Sequence, residues 1–129
     1  MDEVRLRAEQ DVLSRKIPEN LYRFTDMDTN KPYLVMAAKT NRGNIYTLRI
    51  ELDEFPNKVP KMYVKNRILL KSGQSIPEND EALNTLYHKD GMTEIRHYGQ
   101  NIWTPMVTLY RVYLQGKIWL ENYEDYLYG

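Results

Sequence analysis

The sequence predicts an α+β fold: an N-terminal helix, a four-stranded antiparallel meander and C-terminal helices, with the helices packed on one sheet face. Three observations lead there. Strand-like segments follow one another between residues 21 and 64 with only short turns between them, which implies antiparallel pairing. Within IYTLRIEL (45–52), Tyr46, Leu48, Ile50 and Leu52 share one face, and Thr47, Arg49 and Glu51 the other. That alternation belongs to a sheet buried on one side. The strongest helical periodicity lies at the two ends of the chain, and the 129 residues suit a single domain spanning 1–129.

Residues 2–16 read as the first helix. Val4, Ala8 and Val12 form one line, and Leu6, Leu13 and Ile17 a neighbouring one. Asp2 and Glu3 at its start and Arg15 and Lys16 at its end complement the helix dipole, and Pro18 stops it. The predicted strands are 21–25, 33–39, 45–52 and 61–64. TNRGN (40–44) is the hairpin loop before the third, with Gly43 at the left-handed position. Residues 66–75 are an apolar nub and a polar loop. A short helix is predicted over about 79–88 from Pro77, Asn79 and the acids Glu78, Asp80 and Glu81. The string IPEN occurs at 17–20 and 76–79, but its flanks differ and it marks no repeat. A long helix is predicted over 105–127, with Thr104 as cap and Pro105 in its first turn. Met106, Leu109, Tyr113, Gly116, Leu120, Tyr123 and Leu127 give it one buried stripe, and Gly116 on that stripe points to close packing.

Composition narrows the function. The 18 basic and 18 acidic residues cancel, so no global field draws the chain to nucleic acid or an anionic membrane. No apolar run approaches the roughly 20 residues of a membrane span. The charged start, Met-Asp-Glu-Val-Arg, is unlike a signal peptide, and a cytoplasmic location is expected. Cysteine is absent, which excludes disulfides, thiolate metal sites and thiol catalysis. Eleven tyrosines against two phenylalanines suit a contact surface as well as a core with wet edges.

Two motifs carry a family resemblance. In YTLRIELDEFPNKVPKMYV (46–64), a Tyr-x-Leu-x-Ile strand runs into Phe55-Pro56, and Pro60 precedes the next strand. WTPMVTL (103–109) follows, with Trp103 and Pro105 in a Trp-x-Pro-x-x-Thr-Leu arrangement. Together with the element order, these resemble the ubiquitin-conjugating enzyme fold over most of residues 3–127. The ending WLENYEDY (119–126) is similar to the divergent bacterial branch. The resemblance implies a place in a conjugation-like gene cluster, with antiviral defence among the roles such clusters have.

The departures are as informative. The family's catalytic cysteine falls between a glycine and the tryptophan, where this chain has Glu94, Ile95 and Arg96. The family's His-Pro-Asn triplet has no counterpart, since Lys89 and Asp90 follow His88. The resemblance therefore implies a conjugating-enzyme variant, a pseudoenzyme without thioester transfer. A replaced cysteine is the other explanation, but trapping changes use Ser, Ala or Lys, and none stands at 94–96. The implied partners are a ubiquitin-like protein, an activating enzyme or an active conjugating enzyme. Candidate contact residues are Arg5 and Arg7 on the first helix and Lys58, Lys61, Lys65 and Arg67 in the basic stretch.

Other readings stay open at this point. His88, Asp90, Glu94 and His97 offer metal donors, but in no zinc-helix spacing, and no cofactor or metal is expected. His88 and His97 could serve a thiol-independent enzyme. An RWD-type interaction scaffold shares the expected topology. The acids Glu121, Glu124 and Asp125 could complement the basic stretch in a homo-oligomer.

Overall fold

The computed structural model describes residues Met1–Gly129 and is α+β. Its elements are α1 (Glu3–Lys16), β1 (Tyr22–Thr25), β2 (Tyr33–Lys39), β3 (Ile45–Glu51), β4 (Met62–Val64), β5 (Thr85–Lys89), β6 (Met92–Ile95) and α2 (Leu109–Tyr128), with short 3-10 turns at Glu19–Leu21 and Gln100–Ile102. The sheet has six strands, not four, in the order β1-β2-β3-β4-β6-β5. All pairings are antiparallel.

The two additional strands replace the short helix predicted over 79–88. Asp90 and Gly91, with φ of 50° and 78°, close a tight turn between β5 and β6. Two successive positive φ values match the twist of a two-residue hairpin. The helix-favouring residues before it lie in turns instead. There the backbone N–H of Asn79 donates to Leu86 O at 2.7 Å, and the N–H of His88 to Glu78 Oε1 at 2.7 Å. This segment thus covers the free edge of β5.

The core lies between one sheet face and the helices. Leu34, Met36 and Ala38 of β2, Leu48 and Ile50 of β3, Met62 and Val64 of β4 and Ile95 of β6 meet Leu13 of α1 and Leu109, Val112, Leu120 and Tyr123 of α2. On β3 the observed faces are those the alternation predicts. At Gly116 a Cβ would lie 2.5 Å from Met62 Sδ and 3.0 Å from Leu48 Cδ1. The uninterrupted helix approaches the sheet that closely because glycine brings no side chain.

Both helices differ from expectation in detail. The buried residues of α1 are Glu9 and Leu13, whereas Val4, from the expected apolar line, is 79 % exposed. The long helix begins at Leu109, capped by Thr108, not at Pro105. Met106 therefore lies outside it and is 83 % exposed instead of heading the buried stripe. One set of contacts accounts for both shifts. Glu9 Oε1 accepts the N–H of Leu109 at 2.7 Å, and Arg5 donates to the carbonyls of Pro105 at 2.5 Å and Val107 at 2.8 Å. The first orphan donor of α2 is thus satisfied by α1, and the preceding residues are held in a turn, with the Val107 N–H donating to the Thr104 carbonyl at 3.1 Å.

Candidate partner-binding site

The motif residues of the two distant segments meet in space. Phe55 is buried after β3, and the Trp103 ring packs edge-on against it at 6.1 Å between centroids. Tyr98 packs edge-on against Trp103 from another side at 5.4 Å. The indole N–H of Trp103 donates to the carbonyl of Pro56 at 2.9 Å, so its polar edge is satisfied while its ring fills the cluster. Pro60 is buried beside β4, and Pro105 is exposed, its carbonyl held by Arg5. The Arg5 guanidinium also lies 5.0 Å from the Phe55 ring centroid and pairs with Glu9 at 2.8 Å.

Beside this cluster runs a groove of about 530 Å³ between the β3–β4 connection and residues 94–100. It brings Glu94, Ile95 and Arg96 together with Lys58 and Lys61. Ile95 faces the core and is 1 % exposed, whereas Glu94 is buried on the opposite sheet face, opposite Tyr63 of β4. Burial raises the Glu94 pKa, and the charges of Lys61 and Lys89 oppose the rise. Burial likewise raises the Tyr63 hydroxyl, reinforced by Glu94 and Glu51. Arg96 is exposed, as are Lys58 and Lys61. Lys58 reaches Glu54 at 3.5 Å across the solvated rim, a pair of little energetic weight.

His97 also lines the groove. Its Nδ1 is 3.5 Å from the Ile95 carbonyl, and its buried Nε2 has no hydrogen-bond partner. Burial lowers its pKa to about 4, against the pull of that carbonyl, so the ring is neutral at pH 7. His88 is elsewhere, on β5 beside Glu78 at 3.8 Å, lining a separate depression with Arg67 and Gly91. The two histidines do not converge, and no group of three His, Cys, Asp or Glu residues is placed to hold a metal ion.

The remaining candidates divide. Arg7 is 77 % exposed on its side chain and reaches Glu3 only at 3.7 Å. Lys65 and Arg67 are exposed beyond β4, away from the groove. Arg5 is committed to contacts within the fold and presents 21 % of its side chain. The C-terminal acids make contacts within the chain, Asp125 with 73 % of its side chain exposed. Glu121 accepts the N–H of Asn41 at 2.9 Å, Asp125 pairs with Arg42 at 3.0 Å, and Glu124 is fully buried.

Sequence reasoning missed the exposure of apolar residues beside the cluster. Val4, Ile102 and Met106 are 79 %, 62 % and 83 % exposed. Met106 sits between the two carbonyls that Arg5 grips. The Thr104–Thr108 pair of possible caps was the available signal, because the later cap leaves Met106 outside the helix.

No protein-family model, curated protein or solved structure matches the chain. No helix is long and apolar enough to cross a membrane.

Proposed function

We propose that this chain is a non-catalytic ubiquitin-conjugating-like protein. It binds a ubiquitin-like protein, an activating enzyme or an active conjugating enzyme, in the cytoplasm and in a bacterial conjugation-like pathway. The observation that carries this reading is the convergence of Phe55, Pro56 and Trp103 in one packed cluster, beside a groove lined by the residues that stand where the resemblance implies a cysteine. A thioester needs a thiol, and the chain has none. The contact surface we assign runs from Val4 and Arg7 to Ile102 and Met106 and on to the cationic rim of Lys58, Lys61 and Arg96. It combines exposed apolar anchors with a polar surround, as protein interfaces do.

The test is affinity capture of the tagged full chain from its native host, with mass spectrometry of the eluate. A ubiquitin-like protein or conjugation enzyme is recovered with the wild type and lost with Met106→Asp, whose circular dichroism is unchanged. Recovery of no such protein overturns the reading.

A further inference from the structure

A second cavity, of about 460 Å³, lies between the C-terminal half of α2 and the segment linking β4 to β5. Its size falls within the range of small-molecule sites, and its lining has their character: mostly apolar walls with a few converging polar groups. Leu70, Leu83, Trp119, Tyr123 and Tyr126 supply the walls, and Asp80 is the one ionic side chain among them.

Each aromatic wall residue is pinned by its polar end. The Trp119 indole N–H is shared between the carbonyls of Leu83 at 3.0 Å and Asn84 at 3.2 Å. The Tyr123 hydroxyl donates to Leu69 O at 2.7 Å and accepts from Leu69 N at 3.0 Å. The Tyr126 hydroxyl accepts from Lys71 N at 3.3 Å. Asp80 is fixed at three points: its N–H donates to Thr85 Oγ1 at 3.1 Å, its carbonyl accepts from Thr85 N at 3.1 Å, and its Oδ1 accepts from Leu83 N at 3.0 Å. What these groups still offer a guest is aromatic surface and the second oxygen of Asp80. The other polar lining residues, Asn84 and Asn122, are neutral, and no lysine, arginine or histidine lines the cavity.

We propose that this cavity binds a small organic cation, a protonated or quaternary amine carried on an apolar body. The charge complementarity is one-sided, with a single fixed carboxylate and electron-rich ring faces that attract ammonium groups. The chain itself places a cation on one of these rings: Lys71 Nζ lies 5.2 Å from the Tyr126 centroid. The site is independent of the proposed partner surface and of its test.

Phenethylamine and 2-phenylethanol, close in shape and different in charge, are the probes. They are titrated into the full chain at pH 7 and followed by amide chemical shifts. The amine shifts resonances of Leu70, Leu83, Asn84 and Tyr126, and the alcohol binds at least about tenfold more weakly. Asp80→Asn keeps the oxygen that accepts from Leu83 N and lowers the amine's affinity to that of the alcohol. Tyr126→Phe retains amine binding, and Tyr126→Leu weakens it. Equal affinity for the two probes, indifference to Asp80→Asn, or no millimolar binding of the amine overturns the proposal.

Discussion

Glu124 on α2 and Glu94 on β6 are both buried glutamates, 0 % and 7 % exposed, in regions that treat a negative charge oppositely. At Glu124, burial by itself would raise the pKa, but the hydrogen bonds from Asn44 and Tyr46, the hydroxyl of Thr40 and the charge of Arg42 outweigh it and hold the carboxyl below its ordinary value. Asn44 Nδ2 and the Tyr46 hydroxyl donate to Oε2 at 2.7 and 2.8 Å. Glu94 meets only the charges of Lys61 and Lys89, and burial prevails. The first region is a clasp joining the β2–β3 hairpin to the helix. The second is a poorly solvated charge beside an open groove. Donor placement, not depth, separates structural from available carboxylates.

Removing the clasp gives the largest expected effect. Glu124→Leu takes the charged acceptor away from the Asn44 amide and the partly buried Tyr46 hydroxyl, and stability in urea falls by about 3 kcal/mol. If the loss is below about 1 kcal/mol, the hairpin and helix are held by apolar packing and the comparison fails.

Weakening the clasp comes next. Tyr46→Phe removes one donor and costs about 1 kcal/mol. The pH dependence sharpens the point. Because the folded pKa of Glu124 is depressed, its contribution is complete above the unfolded carboxylate value and is lost as pH falls through the folded one. With one donor fewer the folded pKa rises, so the acid-unfolding midpoint of Tyr46→Phe moves to higher pH. An unmoved midpoint assigns the low pKa to other groups.

Glu94 reverses the sign. A folded pKa above the unfolded value means stability is fullest below the unfolded pKa and is lost as pH rises through the folded one. Glu94→Gln therefore raises stability at pH 7 by on the order of 1 kcal/mol, and the difference from wild type vanishes in acid. Thermal melts of both proteins at pH 3.5 and 7 read this directly, and a destabilised variant at pH 7 contradicts the contrast.

The smallest effect belongs to the rim. Lys61→Ala removes a charge that opposes the rise at Glu94, so the Glu94 pKa climbs further. Lys61 itself is exposed, and overall stability changes by less than about 0.5 kcal/mol. Side-chain carboxyl NMR titration of Glu94 measures the shift, and a fall in its pKa would show that Lys61 does not face it.

Much of the architecture was legible in the chain. The strands at 33–39 and 45–51, the first helix and the close approach at Gly116 follow from short-range pattern and residue size. The β5–β6 hairpin was legible in principle, because Asp90-Gly91 between two short segments is a turn signal. The acids and helix formers at 78–83 competed with it, and pairing of β6 with β4 settled the competition. The start of α2 was ambiguous because both Thr104 and Thr108 can cap a helix, and α1 chose between them. Within the candidate site, the Phe55 and Trp103 motifs were visible, but the burial of His97 and the internal use of Arg5 were not.

The sequence by itself determined the α+β class, the buried face of β3 and the absence of thiol chemistry, since these depend on periodicity and composition. Only the tertiary structure decided which carboxylates are served. Glu9, Glu94 and Glu124 are alike as letters, yet the Leu109 donor that Glu9 satisfies lies 100 positions along the chain, and the Tyr46 donor on Glu124 lies 78 positions away. Hydrogen bonds and burial act across space, and partners so far apart in sequence meet only when the sheet and helices close on one another.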